Sequence, residues 1–242
     1  MKNKSKRMIK YANWSLHEKK ESVFFYTFHK CASTLFGKYV LNNVDGLWHV
    51  DYSDKIALGS SVQPTFKEKG YIYGPIRLSA SPEFDVYKRL VGPTSSPEFI
   101  ADKKAIFMIR DPRDILVSGY YSYGWTHRLN PNEKRRGAQL QKRDKVQSMT
   151  LDEYALETVQ DIKSHFVLLK SLSEACPRSE VLRYEDMIDD CSTFSAQITK
   201  VLDVKPAVLT EMYRRSRPKE TEDIGSHTRS GKTRSFEEKL KT

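Results

Sequence analysis

The 242-residue chain carries 41 lysines and arginines against 31 aspartates and glutamates, a formal charge of +10, with 38% hydrophobic and 11% aromatic residues. That length fits one large α/β domain over residues 1–242, and the apolar fraction is enough for a core. No stretch approaches the apolar length of a membrane span, and the basic segment 1–20 lacks the apolar run of a signal peptide.

The three cysteines, Cys31, Cys176 and Cys191, have no metal spacing and are odd in number, which predicts a reduced cytoplasmic protein. The charge favours an anionic partner: a highly charged nucleotide, nucleic acid, or peripheral contact with an anionic membrane.

In chain order, residues 22–28 (Ser-Val-Phe-Phe-Tyr-Thr-Phe) read as a buried strand, and residues 29–34 as a polar corner. Helical spacing resumes over 36–43, with Leu35, Phe36, Tyr39, Val40 and Val44 on one face. A strand, a tight turn and a helix start aim backbone N–H groups and a positive dipole end at one spot. Lys30, Ser33 and Thr34 suit that spot to phosphate or sulfate, although the Gly-x4-Gly-Lys-Ser/Thr spacing of a triphosphate loop is absent.

Residues 47–52 and 70–76 read as two further strands. His49 and Asp51 alternate on the first of these, so they are expected to share one face near its end. Residues 78–102, with Pro82, Pro93 and Pro97, read as a long loop or short helical turns. A fourth strand at 105–109 ends on Arg110, where a rigid guanidinium can clamp an anion. Asp111-Pro112 turns the chain into a helix over 115–125. Ser118 projects from it toward the same anion, while Tyr120, Tyr121, Tyr123 and Trp125 read as packing.

Residues 128–150 carry Lys134, Arg135, Arg136, Lys142, Arg143 and Lys145 with few apolar residues, and read as a mobile basic excursion. Thr150-Leu-Asp-Glu153 opens a helix over 151–173 like a capping box. A fifth strand, 180–183, leads into Tyr184-Glu-Asp186. Near the C-terminus lies a basic loop, His227-Thr-Arg-Ser-Gly-Lys-Thr-Arg234. Gly225 and Gly231-Lys232-Thr233 do not form a second triphosphate loop, because the glycine spacing is five instead of four. Strands alternating with helices predict an α/β fold, a mostly parallel central sheet flanked by helices on both faces.

Taken in order, these stretches resemble the sulfotransferases that use 3′-phosphoadenosine 5′-phosphosulfate (PAPS). His29-Lys-Cys-Ala-Ser-Thr-Leu35 is similar to that family's 5′-phosphosulfate loop, Pro-Lys-Ser-Gly-Thr-Thr-Trp. Arg110-Asp-Pro-Arg-Asp-Ile-Leu-Val-Ser118 is similar to its 3′-phosphate motif almost letter for letter. Arg183-Tyr-Glu-Asp186 matches its Tyr-Glu-Asp turn, and Arg229-Ser-Gly-Lys232 resembles the C-terminal loop that closes over the 3′-phosphate. The departures are His29, Ala32 and Leu35 in the first motif, and Thr233-Arg-Ser-Phe236 where Gly-x-Trp is usual. Ala32 also requires a loop conformation that accepts a Cβ.

The resemblance implies a P-loop-like strand–loop–helix in which Lys30, Cys31, Ala32, Ser33, Thr34 and Leu35 surround the phosphosulfate. It implies that Lys30 stabilises the leaving oxygen, that Arg110, Ser118, Arg229, Ser230 and Gly231 hold the 3′-phosphate, and that Tyr184 lies near the adenine. PAPS would be the donor, adenosine 3′,5′-bisphosphate (PAP) the product, and no metal would be required. The acceptor would be a hydroxyl or amine compound, with small-molecule, lipid, carbohydrate and peptide acceptors all open. Asp51, His49 and His29 stand together as candidates for its base, with Glu83 and His127 behind them. Two alternatives are a nucleotide-dependent kinase, which lacks the loop spacing, and a basic nucleic-acid-binding module. The latter needs basic and aromatic residues on one face, whereas these arginines sit at strand ends.

Overall fold

The computed structural model describes residues 8, 11–12, 14–15, 19–82, 84–218, 221 and 231–241. Five strands form one sheet in the order β2-β3-β1-β4-β5. They are β1 (Val23–Thr27), β2 (Trp48–Val50), β3 (Tyr71–Arg77), β4 (Lys104–Ile109) and β5 (Ser179–Arg183). Every ladder between them is parallel, with Val23 opposite Ile72 on one side and Lys104 on the other. All five coincide with the apolar runs of the sequence. β1 is buried along its whole length, which is why it reads as continuous Val-Phe-Phe-Tyr and not as an alternating strand.

Helices cover both faces, as the alternation of elements predicts. On one face, Val23, Phe25, Ile106, Met108 and Leu182 pack against three helices: α1 (Ser33–Tyr39), α7 (Cys191–Val201) and α8 (Pro206–Ser216). On the other, Phe24, Tyr26, Tyr73 and Phe107 meet α2 (Tyr52–Ala57), α3 (Pro112–Tyr121) and α5 (Leu151–Ala175). Thr150 and Glu153 form the expected capping box at the start of α5. Residues 78–102 contain short helical pieces, Tyr87–Val91, Gly92–Thr94 and Pro97–Ile100.

Residues 128–150 depart from the expected mobile excursion. Asn132 caps a 15-residue helix, α4 (Glu133–Gln147). Its polarity hides an anchoring made through long side chains: Arg135 donates to Ala57 O (2.7 Å), Arg143 to His127 O (2.6 Å) and Gln147 to Gly124 O (2.7 Å). Tertiary contacts, not an apolar stripe, hold this helix. Two smaller helices, α6 (Tyr184–Asp189) after β5 and α9 (Phe236–Lys239) near the C-terminus, complete the description.

From β1 the chain turns toward β2 and β3, and from β4 it turns the other way toward β5. The carboxyl ends of β1 and β4 therefore flank the point where the strand order reverses, the usual seat of a ligand in such sheets.

Candidate active site

Every strand delivers a polar residue to this end of the sheet: Lys30 after β1, Asp51 after β2, Arg77 closing β3, Arg110 after β4 and Tyr184 after β5. The loop after β1 is tightly wound. Lys30 and Ala32 both adopt left-handed backbone, with φ of 71° and 54°. A residue with a Cβ pays about 1 kcal/mol or more for such a conformation, and it persists where the surroundings impose it, often at functional sites. Ala32 is the N-cap of α1 and offers no side-chain acceptor, so the first amides of the helix face the cleft without a protein cap.

Lys30 Nζ hydrogen-bonds to Ser122 Oγ and lies 5.4 Å from the centre of the Tyr123 ring. Burial, then the charges of Arg110 and Arg77, lower its ammonium to about 8. The hydroxyls of the loop diverge. Thr34 is exposed at the first turn of α1, whereas Ser33 is buried and its Oγ accepts from Arg77 Nε at 3.3 Å. Ala32 and Leu35 lie on the apolar core beneath. Cys31 is fully buried, and burial pushes its thiol up to about 12. The lowering that a helix start alone would give is overridden, and the side chain fills space under the loop.

Arg110, only 7% exposed, ties the two ends of the site together. Its guanidinium donates to Lys30 O at 3.1 Å and to Lys232 O at 3.1 Å, and stacks 4.2 Å above the Tyr184 ring. The Tyr184 hydroxyl donates to Gly231 O at 2.8 Å. Asp114, with no exposure at all, lies 3.7 Å from Arg110. It accepts from Arg234 N (2.8 Å), Ser235 Oγ (2.9 Å) and Phe236 N (3.2 Å). The segment 231–236 is thus bound to the very helix that Arg110 introduces. Arg113 adds a stack 3.7 Å over Phe236. Ser118 sits one turn beyond Asp114 on α3 and is partly exposed. Arg229, Ser230 and His227 lie outside the described residues, as does Glu83.

The base candidates are placed differently from one another. Asp51 is not on the strand with His49. It has left β2 and caps α2, its Oδ1 accepting from Asp54 N at 2.9 Å. Burial, reinforced by Asp54, raises its carboxyl to about 6. His49 has both ring nitrogens engaged, Nδ1 with Asn42 Oδ1 (3.1 Å) and Nε2 with Gly74 O (2.7 Å), so it tethers β2 to β3. His29 lies beside Lys30, and its amide donates to Ser79 Oγ at 3.0 Å. Burial first, then the charges of Arg77, Lys30, His127 and Lys142, hold its imidazole well below the usual value. The His127 ring stands 5.5 Å from that of Tyr123.

Three residues of this site escape the reading of the sequence. Arg77 is hidden because the apolar run ends at Ile76, one residue short of the true strand end. Its guanidinium also pairs with Asp54 at 3.8 Å. Tyr123 looks like helix packing, but α3 gives way to a wider π-helical turn, Ser122–Thr126, which rotates Ser122 and Tyr123 onto Lys30. Asp114 reads in the sequence, with Asp111, only as an alternative ion-pair partner for Arg110, which it is at 3.7 Å; its hold on residues 234–236 escapes, because only the folded chain brings them to it.

Among the described residues no group of His, Cys, Asp and Glu side chains is arranged to hold a metal ion, and no helix is long and apolar enough to cross a membrane. No family model matches the sequence, and no curated protein matches it. In structure the chain is similar to the mouse sulfotransferase SULT7A1, crystallised in complex with PAP. The two are 14% identical and superpose with a TM-score of 0.50 over 96% of this chain and 82% of the other. The protein has the sulfotransferase fold.

Proposed function

We propose that the protein is a sulfotransferase that moves the sulfuryl group of PAPS to a hydroxyl or amine acceptor. For an alcohol, the acceptor oxygen forms a bond to sulfur as the sulfur–oxygen bond to the 5′-phosphate breaks. The sulfate ester, PAP and one proton leave. The reading treats the chain as one transferase domain. The observation that carries it is the bond from Arg110 to Lys30 O: it joins two cationic anchors on adjacent strands, across a loop whose helix start has no side-chain cap. The superposition with a PAP-bound sulfotransferase supports the same reading at the level of fold.

In this reading Lys30 and the loop amides stabilise charge on the leaving oxygen, the largest demand of such a transfer. Thr34 and the Ser33–Arg77 pair hold the 5′-phosphate. Arg110 holds the 3′-phosphate with Ser118, Arg229, Ser230 and Gly231, and Tyr184 keeps Arg110 in place from below. Asp51, made more basic by burial, takes the acceptor's proton. The free cysteines Cys31, Cys176 and Cys191 agree with a reducing, cytoplasmic setting.

The test is transfer of labelled sulfate from PAPS across hydroxyl and amine acceptors, repeated with Lys30→Ala at saturating donor. Loss of one such stabilising group predicts a fall of roughly 100-fold or more in turnover. Near-normal turnover would contradict the assignment.

A further inference from the structure

The outer face of α5 is apolar where water meets it. The inner side of this helix is buried through Leu169 and Leu172, and Ile162 and Phe166 pack against the same core. On the opposite side Leu156 is 68% exposed and Val167 63%, with Val159 at 40% beside them. Positions 156, 160, 163 and 167 follow the three–four spacing of one helical face. Leu156 and Val167 therefore stand about 16 Å apart on one stripe, with exposed Gln160 and Lys163 between them. A single apolar side chain on a surface is ordinary, whereas several on one solvent face of one helix form a contact surface.

The charges along the same helix select what covers it. Residues 152–161 carry Asp152, Glu153, Glu157 and Asp161 and no base, while residues 162–173 carry Lys163 and Lys170 and no acid. The partners that these groups have within the chain are exposed and weakly held: Glu157 with Lys145, Lys170 with Glu174, Glu153 with Thr150, and Asp152 with the Lys241 amide. A second α5 laid antiparallel sets the acidic half of each helix against the basic half of the other, and a parallel one sets like on like. With the two-fold axis between residues 161 and 162, Leu156 meets the partner's Val167, Glu153 meets the partner's Lys170, and Gln160 meets the partner's Lys163. A register centred on Lys163 would instead bring two lysines together.

We infer that the chain forms a symmetric homodimer in which α5 of one protomer packs antiparallel on α5 of the other. The contact is isologous, so it closes at two copies. None of its residues belongs to the candidate active site, and the inference stands apart from the sulfotransferase reading.

Sedimentation equilibrium of the full chain over a wide range of concentration tests it. The unaltered chain should show a reversible monomer–dimer equilibrium. Leu156→Ser combined with Val167→Ser should leave a monomer, with circular dichroism and melting at low concentration unchanged because both positions are exposed. Lys170→Glu should weaken the dimer about fivefold or more, since symmetry removes the pair twice. Adding Glu153→Lys should restore it, a rescue that a merely misfolded variant would not give. A monomer at the highest concentration gives the face to a different partner, and a dimer untouched by these changes is built on another surface. Either result overturns the inference, as does failure of the charge exchange to restore the dimer.

Discussion

At Lys30 and Asp51 the same cause, burial, pushes two charges toward neutrality from opposite sides. The ammonium falls to about 8 and the carboxyl rises to about 6. The proposed reaction needs Lys30 charged and Asp51 ionised, so kcat/KM, which reports the free enzyme, should follow a bell with limbs near those two values. A profile flat from pH 5 to 9 would remove both residues from the chemistry. Stability carries a separate signature of Asp51. Its folded-state pKa lies above the unfolded one, so the ionised form costs stability. That cost is absent below about pH 4, grows as the pH rises toward 6 and is complete above it. Asp51→Asn keeps a good helix cap. It should therefore raise stability at pH 7.5, on the order of 1 kcal/mol, with the gain vanishing near pH 4 in denaturant titrations, while transfer activity is lost. A gain that is independent of pH would show that burial of the charge is not its origin.

Between elements, the central joint is the one from α3 to the C-terminal segment. The fully buried Asp114 carboxylate holds three donors from residues 234–236 and the Arg110 guanidinium. Asp114→Asn preserves the shape but weakens each of these bonds, at an expected cost on the order of 1–3 kcal/mol. Urea unfolding checks the cost, and limited proteolysis should show the 231–236 segment cut faster. An unchanged midpoint would mean that the segment is held by other contacts.

The same joint marks where sequence reading stops. The three central strands β1, β3 and β4 are legible as apolar runs, because the middle of a parallel sheet is buried on both faces, and the partly buried edge strands β2 and β5 show as shorter mixed runs. Lys30, Arg110 and Tyr184 are legible because they follow such runs directly. The helices α2, α4, α6, α7, α8 and α9 are not among the segments read as helical. For α4 the reason is visible: its composition is that of a solvated loop, and it is held by the receiving carbonyls of Ala57, Gly124 and His127 and by one buried apolar residue, Val146, against Leu116 and Tyr154. Asp51 is readable as a chemical group but not in position, since a strand expected to run through residue 52 stops at Val50 and releases it into a cap. In the sequence His49 is equivalent to it, yet in the fold its ring is engaged by Asn42 and Gly74.

On the scale of the whole molecule, the +10 charge is not spread evenly in effect. Strand ends bring Lys30, Arg77 and Arg110 to one edge of the sheet, and α4 lays a further basic run beside them. Under the proposed reading, that concentration is what distinguishes a nucleotide site from a generally sticky basic surface. Calorimetric titration of the full chain with PAP, adenosine 5′-phosphate and ATP tests this most directly. PAP should bind most tightly, and omitting the 3′-phosphate should weaken binding about tenfold or more, the loss of a charge-assisted anchor at Arg110. ATP binding as tightly as PAP, or PAP no better than adenosine 5′-phosphate, would contradict it.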